Sequence, residues 1–153
     1  MTKDLKEIII KKEDAVFWMD GNGRWHNAHG PFEHQKVVAY FNRSIRHDAD
    51  GYFVSQVRDE MLEKVYFPYQ ATALFVVDII KDDDIHLSLN TGRQMLLDPE
   101  QLFLREDSLF MRIENQVVKF TDRSMIKLSD LLEDSDGRFT ILVKGLRYTI
   151  QEP

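Results

Sequence analysis

The spacing of hydrophobic and polar residues changes period several times along the chain, and each change predicts an element. Ile8, Ile9 and Ile10 form a short β-branched run. It predicts a first strand, covered on both faces or opening a hairpin, and the residues before Glu7 read as a loose end. Val16, Phe17 and Trp18 predict the next strand. Asp20-Gly21-Asn22-Gly23 follows at once and supplies the positive φ angles that a hairpin turn needs. Arg24-Trp25-His26 should therefore pair back against Phe17-Trp18-Met19, until Gly30-Pro31 breaks the strand. From Glu33 to Arg46 the period becomes helical. Val37, Val38, Phe41 and Ile45 share one face, and Lys36, Asn42, Arg43 and Arg46 the other. The Val38-Phe41-Ile45 stripe should pack on the hairpin. Asp48-Ala49-Asp50-Gly51 is expected to end this helix, and Tyr52-Phe53-Val54 to open another strand.

Beyond Val57 a polar turn with Asp59, Glu60 and Glu63 leads to a strand at Lys64-Val65-Tyr66-Phe67, limited by Pro68. Ala71 to Ile80 is the most apolar stretch, broken only by Asp78, and fits a central strand covered on both faces. Ile85, Leu87 and Leu89 alternate with His86, Ser88 and Asn90, the period of a half-buried strand. Gln94–Leu97, Leu102–Leu104, Leu109–Ile113 and Val117–Phe120 read as further strands. Met125, Leu128, Leu131 and Leu132 sit at helical spacing, with Ser124 or Ser129 as N-cap, and Asp134-Ser135-Asp136-Gly137 ends that segment. Phe139–Val143 and Leu146–Ile150 form a hairpin about Lys144-Gly145.

Two stretches run in the same order. Trp25–Gly51 and Phe110–Gly137 each read strand, helix, Asp-x-Asp-Gly and aromatic strand, with spacings one residue apart. They suggest a duplicated ββαββ motif; a chance likeness between two hairpin–helix units is the competing account. The expected fold is α+β, mostly antiparallel sheet with two short helices. It is expected as one compact domain over 1–153, with repeated halves (7–70 and 100–152) joined by central strands at 71–97.

Composition narrows the chemistry. With 153 residues, 43% hydrophobic and ten Phe, the chain can build a core and is not intrinsically disordered. A net charge of −6 and a pI near 5.3 argue against a nucleic-acid surface. With no cysteine, disulfides, thiolate catalysis and Cys-ligated metal centres are excluded. No apolar run reaches membrane-spanning length, and MTKDLKE does not read as a secretory signal. A soluble, cytoplasmic protein is expected.

His26, His29 and His34 are the metal candidates, since three imidazoles can hold zinc and leave a position for water. On one strand, however, His26 and His29 point to opposite faces, so they converge only through a loop at 27–31. The two Asp-x-Asp-Gly runs lack the continuation of a calcium loop and read as turns. Gly21-x-Gly23 lacks the rest of a dinucleotide fingerprint, and no serine sits in a nucleophile motif. Arg43 and Arg46, with Arg24 and His47 near and Trp25 or Trp18 for stacking, are the candidate site for a flat, small anionic ligand. The plain alternative is an exposed helix face beside buried tryptophans.

Met19-Asp20-Gly21 through Trp25, Gly30-Pro31-Phe32, Val38 with Phe41, and Asp50-Gly51-Tyr52 together carry a family resemblance. In that order they resemble the bacterial domain-of-unknown-function family numbered 1285. Its pattern is an Asp-Gly-x-Trp turn, a Gly-x-x-Ile-type strand end, a helix with Val and Phe, and an Asp-Gly-Tyr strand start. Phe67-Pro68-Tyr69 and Leu87-Ser88-Leu89-Asn90 are similar to its middle section. The likeness spans roughly Phe17 to Leu104, and the last third departs from the pattern. The resemblance implies a bacterial α+β fold of repeated motifs, no established activity and only a loose suggestion of a ligand-responsive or signalling role; it carries over no catalytic residues, and no cofactor is expected.

The leading expectation is a non-enzymatic ligand-binding or regulatory module acting through Trp25, Arg43 and Arg46. The alternative is a protein-interaction module or homodimer using an exposed patch at Tyr66, Phe67 and Tyr69. A metal-assisted hydrolase built on His26, His29 and His34 stands third.

Overall fold

In a computed structural model, residues 6–153 are described, and the chain divides into two units, Met1–Ala73 and Leu74–Pro153. Most of the expected N-terminal loose end lies outside the described residues; Lys6 already belongs to a strand. The strands of the first unit are β1 (Lys6–Ile10), β2 (Phe17–Met19), β3 (Trp25–Asn27), β4 (Gly30–Pro31), β5 (Ile45–Asp48), β6 (Gly51–Arg58) and β7 (Met61–Tyr66). Helix α1 (Gln35–Arg43) precedes β5. They form a four-stranded sheet in the order β1-β7-β6-β5 and a three-stranded sheet β2-β3-β4. β1 pairs parallel to β7 as an edge strand and leaves Ile9 57% exposed, so the isoleucine run is not covered on both faces.

The hairpin at Asp20–Gly23 forms as its turn residues dictate, with Phe17, Trp18 and Met19 opposite Asn27, His26 and Trp25. Gly30-Pro31 does not simply end it: with φ +114° at Gly30, the chain folds back once more as β4 against β3. Helix α1 is shorter than its apolar period. Ser44 closes it, its N–H donating to the Tyr40 and Phe41 carbonyls and its Oγ to Tyr40 O at 2.7 Å. Ile45 is buried, but as the first residue of β5, where it pairs with Val54. Asp48–Gly51 is consequently the β5–β6 hairpin turn and not a helix stop; Asp48 Oδ1 accepts the Asp50 N–H at 3.0 Å. Phe41 still meets the hairpin, with ring centroids 5.1 Å from Phe17 and 5.3 Å from Trp25.

The second unit holds β8 (Phe75–Lys81), β9 (Ile85–Leu89), β10 (Gln94–Leu96), β11 (Leu102–Arg105), β12 (Ser108–Ile113) and β13 (Gln116–Phe120). After them come helix α2 (Asp122–Leu128), β14 (Leu132–Ser135), β15 (Arg138–Val143) and β16 (Leu146–Thr149). Six strands make one sheet in the order β10-β9-β8-β13-β12-β11, antiparallel except for β8 beside β13; β14-β15-β16 make another. The three strands of the expected connecting segment 71–97 thus form half of the larger sheet. β9 buries Ile85, Leu87 and Leu89 and exposes His86, as its alternation requires. β8 is central by position but carries a bulge between Val76 and Asp78, and Val77 and Ile80 are exposed.

Helix α2 is capped by Thr121, not by Ser124 or Ser129: Thr121 Oγ1 accepts the Ser124 N–H at 3.2 Å. It ends at Leu128, and Leu132 opens β14, so Asp134–Gly137 is again a hairpin turn. Within each unit a short helix is followed by a three-stranded antiparallel meander, β5-β6-β7 or β14-β15-β16, whose first turn is Asp-x-Asp-Gly. The fold is α+β, mostly antiparallel, with two short helices.

Candidate functional site

Of the three expected ligand-binding residues, one is buried and two are exposed. Trp25 is 1% exposed; Phe17, Phe41 and Phe67 surround its ring at centroid distances of 5.7, 5.3 and 4.8 Å. Its indole N–H donates to Asn42 Oδ1 at 2.7 Å. Both its faces and its polar edge are spent inside the core. Arg43 and Arg46 meet at the end of α1, where Arg46 Nη1 donates to the Arg43 and Ile45 carbonyls at 2.8 Å each. That guanidinium closes the last carbonyl of α1, a common use of a cation at a helix C-terminus, and also bonds the first carbonyl of β5. The exposed tryptophan is Trp18, which stacks on His26 with centroids 5.9 Å apart and planes 7° from parallel.

The three histidines do not converge. His26 Nε2 lies 2.7 Å from Asp20 Oδ2, while Asp20 Oδ1 accepts the N–H groups of Asn22 and Arg24. Burial opposes the charge on Asp20, but the His26 contact and the two amides outweigh it and hold the carboxyl below its ordinary range. His29 sits in the turn between β3 and β4, and His34 at the start of α1, both exposed. Among the described residues no three His, Asp or Glu side chains gather as a metal site. His26 is on β3 and His29 is in the turn that follows it, and the Asp20–His26 pair serves the hairpin turn.

A cleft of about 450 Å³ opens elsewhere in the first unit. Its floor is aromatic: Tyr52 from β6, Tyr66 from β7, then Phe67 and Tyr69. Ile9, Lys11, Lys12, Glu13 and Asp50 supply the walls. Two of the tyrosines are fixed by hydrogen bonds. Tyr66 OH donates to Asp48 Oδ2 at 2.6 Å; that bond to a carboxylate, helped by burial, pushes the phenol up to about 12 and holds Asp48 down. Tyr52 OH accepts from Thr72 Oγ1 at 3.2 Å, and burial raises its phenol.

Tyr69 is positioned by shape. Its ring stands edge-on to Tyr52 at 5.1 Å and to Phe67 at 5.9 Å. Its hydroxyl lies over Gly51, whose φ is +115° and where a Cβ would come within 2.9 Å of the oxygen. Glycine is required there twice, for the backbone angle and for the approach. Among the described residues, the Tyr69 hydroxyl has no hydrogen-bond partner, and Lys11, Lys12 and Glu13 make no ion pair.

The patch expected at Tyr66, Phe67 and Tyr69 is not an exposed one. Phe67 is 0% exposed, Tyr66 is buried, and the Pro68 carbonyl accepts the Met19 N–H at 3.0 Å, tying this segment to the hairpin. Lys11, Lys12 and Tyr52 are cleft residues that sequence reasoning missed, and Tyr69 was expected there only as part of a surface patch. The available signal was the crowding of three of the five tyrosines into 52–69, beside a glycine at the end of an Asp-x-Asp turn.

The fold defines an α+β protein of small, mostly antiparallel sheets. Among solved structures it is similar to a DUF1285 family protein from Silicibacter pomeroyi DSS-3, with a TM-score of 0.63 and 13% identity, over 96% of this chain and 83% of that one. It is also similar to a DUF1285 family protein from Shewanella baltica OS155, with a TM-score of 0.54 and 18% identity, over 80% of this chain and 96% of that one. The resemblance to DUF1285 thus extends to the fold and into the last third of the chain. No family model matches the sequence, and no curated protein does. No helix among the described residues is long and apolar enough to cross a membrane.

Proposed function

We propose that the protein is a ligand-binding module of regulatory type, and that its site is the tyrosine cleft of the first unit. The ligand is a small organic molecule with an apolar body and an anionic group. The observation that carries this reading is the coincidence, in one cleft, of an aromatic floor with a phenol donor and two ammonium groups that have no partner among the described residues. The volume lies in the range of small-molecule sites, roughly 300–1,000 Å³. Aromatic walls with a few polar groups are how such sites combine affinity with orientation. A bound anion would bridge the 11–13 segment to Tyr69, and ordering of that bridge is the means by which occupancy would be signalled.

The test is a thermal-shift screen of the full chain against small carboxylates, phosphates and amino acids. A ligand that binds the folded state alone, at ~100 times its Kd, adds about 2.7 kcal/mol of stability. The expected result is a rise in melting temperature that is lost in Tyr69→Ala and in a Lys11→Ala/Lys12→Ala double variant. Hits that are indifferent to both variants, or a panel without hits, overturn the assignment.

A further inference from the structure

The same cleft carries charge of both signs, and that points to the class of its ligand. We infer that the ligand is a zwitterion of the α-amino-acid type, free or at the ends of a short peptide, with a large apolar side chain. The inference rests on reading the cleft as a binding site. Lys11 and Lys12 face it together with Glu13 and Asp50. Opposite charges in this unit do pair where geometry allows, as Lys64 does with Glu7 at 3.3 Å. Among the described residues no such pair joins the lysines of the cleft to its carboxylates, although all four line one space of about 450 Å³.

A ligand with only an anionic group would satisfy the lysines and meet Glu13 and Asp50 with like charge. A ligand with only a cation would do the reverse. A molecule with both has an opposite charge for each end, and charge-assisted hydrogen bonds are the stronger kind. The neighbouring carboxylate does not compete, because Asp48 is already bonded to Tyr66 OH at 2.6 Å. Between the charged ends, Tyr69 is the more open ring, backed by the buried rings of Tyr52 and Phe67, an apolar surface that suits an aromatic or branched aliphatic side chain. The Tyr69 hydroxyl, without a hydrogen-bond partner among the described residues, supplies one more donor for a carboxylate.

Calorimetry on the full chain with matched compounds tests this. Phenylalanine keeps both charges, its amide keeps only the cation, N-acetylphenylalanine keeps only the anion, and a phenylalanine-containing dipeptide keeps both at greater separation. One charge-assisted contact is worth about tenfold or more in affinity. The expected result is that the amino acid or the dipeptide binds about tenfold more tightly than either singly charged analogue, and whichever is tighter identifies the source. Asp50→Asn should erase the advantage over the N-acetyl compound, and Lys11→Ala/Lys12→Ala the advantage over the amide. If either analogue binds as tightly as the zwitterions, the ligand class is wrong and the cleft assignment stands. If none of these compounds binds, the class is likewise wrong. The cleft assignment then falls too only if the broader thermal-shift panel also gives no Tyr69-dependent hit.

Discussion

Tyr66 and Asp48 show how single groups set the behaviour of the cleft. The phenol donates to a carboxylate that is partly open to water, so each group favours the other's ordinary state. The folded-state pKa of Tyr66 is raised to about 12, so its contribution is complete below the unfolded value of 10 and is lost between pH 10 and 12. Asp48 is depressed, so its contribution is complete above the unfolded carboxylate value and fades as pH falls through the lowered one. Tyr66→Phe should therefore flatten the stability profile at both extremes. Near neutrality it should cost about 1 kcal/mol, less than is usual for a bond to a charged group, because Asp48 is partly hydrated. Denaturant titrations across pH check this; an unchanged alkaline limb would contradict it. Gly51→Ala is the second test at this scale. The strained φ and the 2.9 Å approach to Tyr69 should lower stability by about 1–2 kcal/mol, and moving Tyr69 should weaken any ligand that depends on its hydroxyl. At this scale the sequence was least legible. Trp25 and Trp18 differ by burial alone, which local spacing does not reveal, and Lys11 and Lys12 come to one space with Tyr52 and Tyr69 only once the cleft has formed.

Elements were legible wherever one periodicity acted without competition. β9 alternates cleanly and is a half-buried strand; Asp20–Gly23 has turn chemistry compatible only with a reversal, and it reverses. The failures cluster at helix ends. Asp-x-Asp-Gly stops a helix and turns a hairpin by the same means, a side-chain acceptor and a positive φ, so its meaning depends on the pairing of the residues downstream. Ile45 and Leu132 fit the helical stripe by spacing, yet each opens a strand whose pairing partner lies further along the chain. That partner is non-local, and local periodicity carries no trace of it. The N-cap of α2 was missed because Thr121 lies four residues before the apolar stripe begins at Met125. Its burial makes it testable: Thr121→Ala removes the bond from Ser124 N–H and a 3.0 Å bond to the Val76 carbonyl. A loss of about 1–2 kcal/mol in urea unfolding is expected, against no more than about 0.5 kcal/mol for the exposed Ser129→Ala. Equal effects would return the cap to Ser129.

At the scale of the whole molecule, charge decides which ligands are welcome. The chain carries −6 at neutral pH, so a net anion approaches against a repulsive field before it reaches the lysines of the cleft. A zwitterion has no net charge and feels no such long-range force, only the local pairs within the cleft. These two contributions differ in salt dependence. Fields between exposed charges fade over a Debye length of about 8 Å at physiological salt, whereas contacts at hydrogen-bond distance are screened far less. The affinity of a zwitterionic ligand should accordingly change by less than about threefold between roughly 0.02 and 0.3 M salt. Hydrogen exchange supplies the spatial half of the same test. Protection on binding should gather at 9–13, at 50–52 and at 66–69, because these three segments build the cleft and are distant in sequence. Protection centred on Arg43 and Arg46, or on the Trp18–His26 stack, would move the site off the tyrosines, and a steep salt dependence would restore the net-anion ligand.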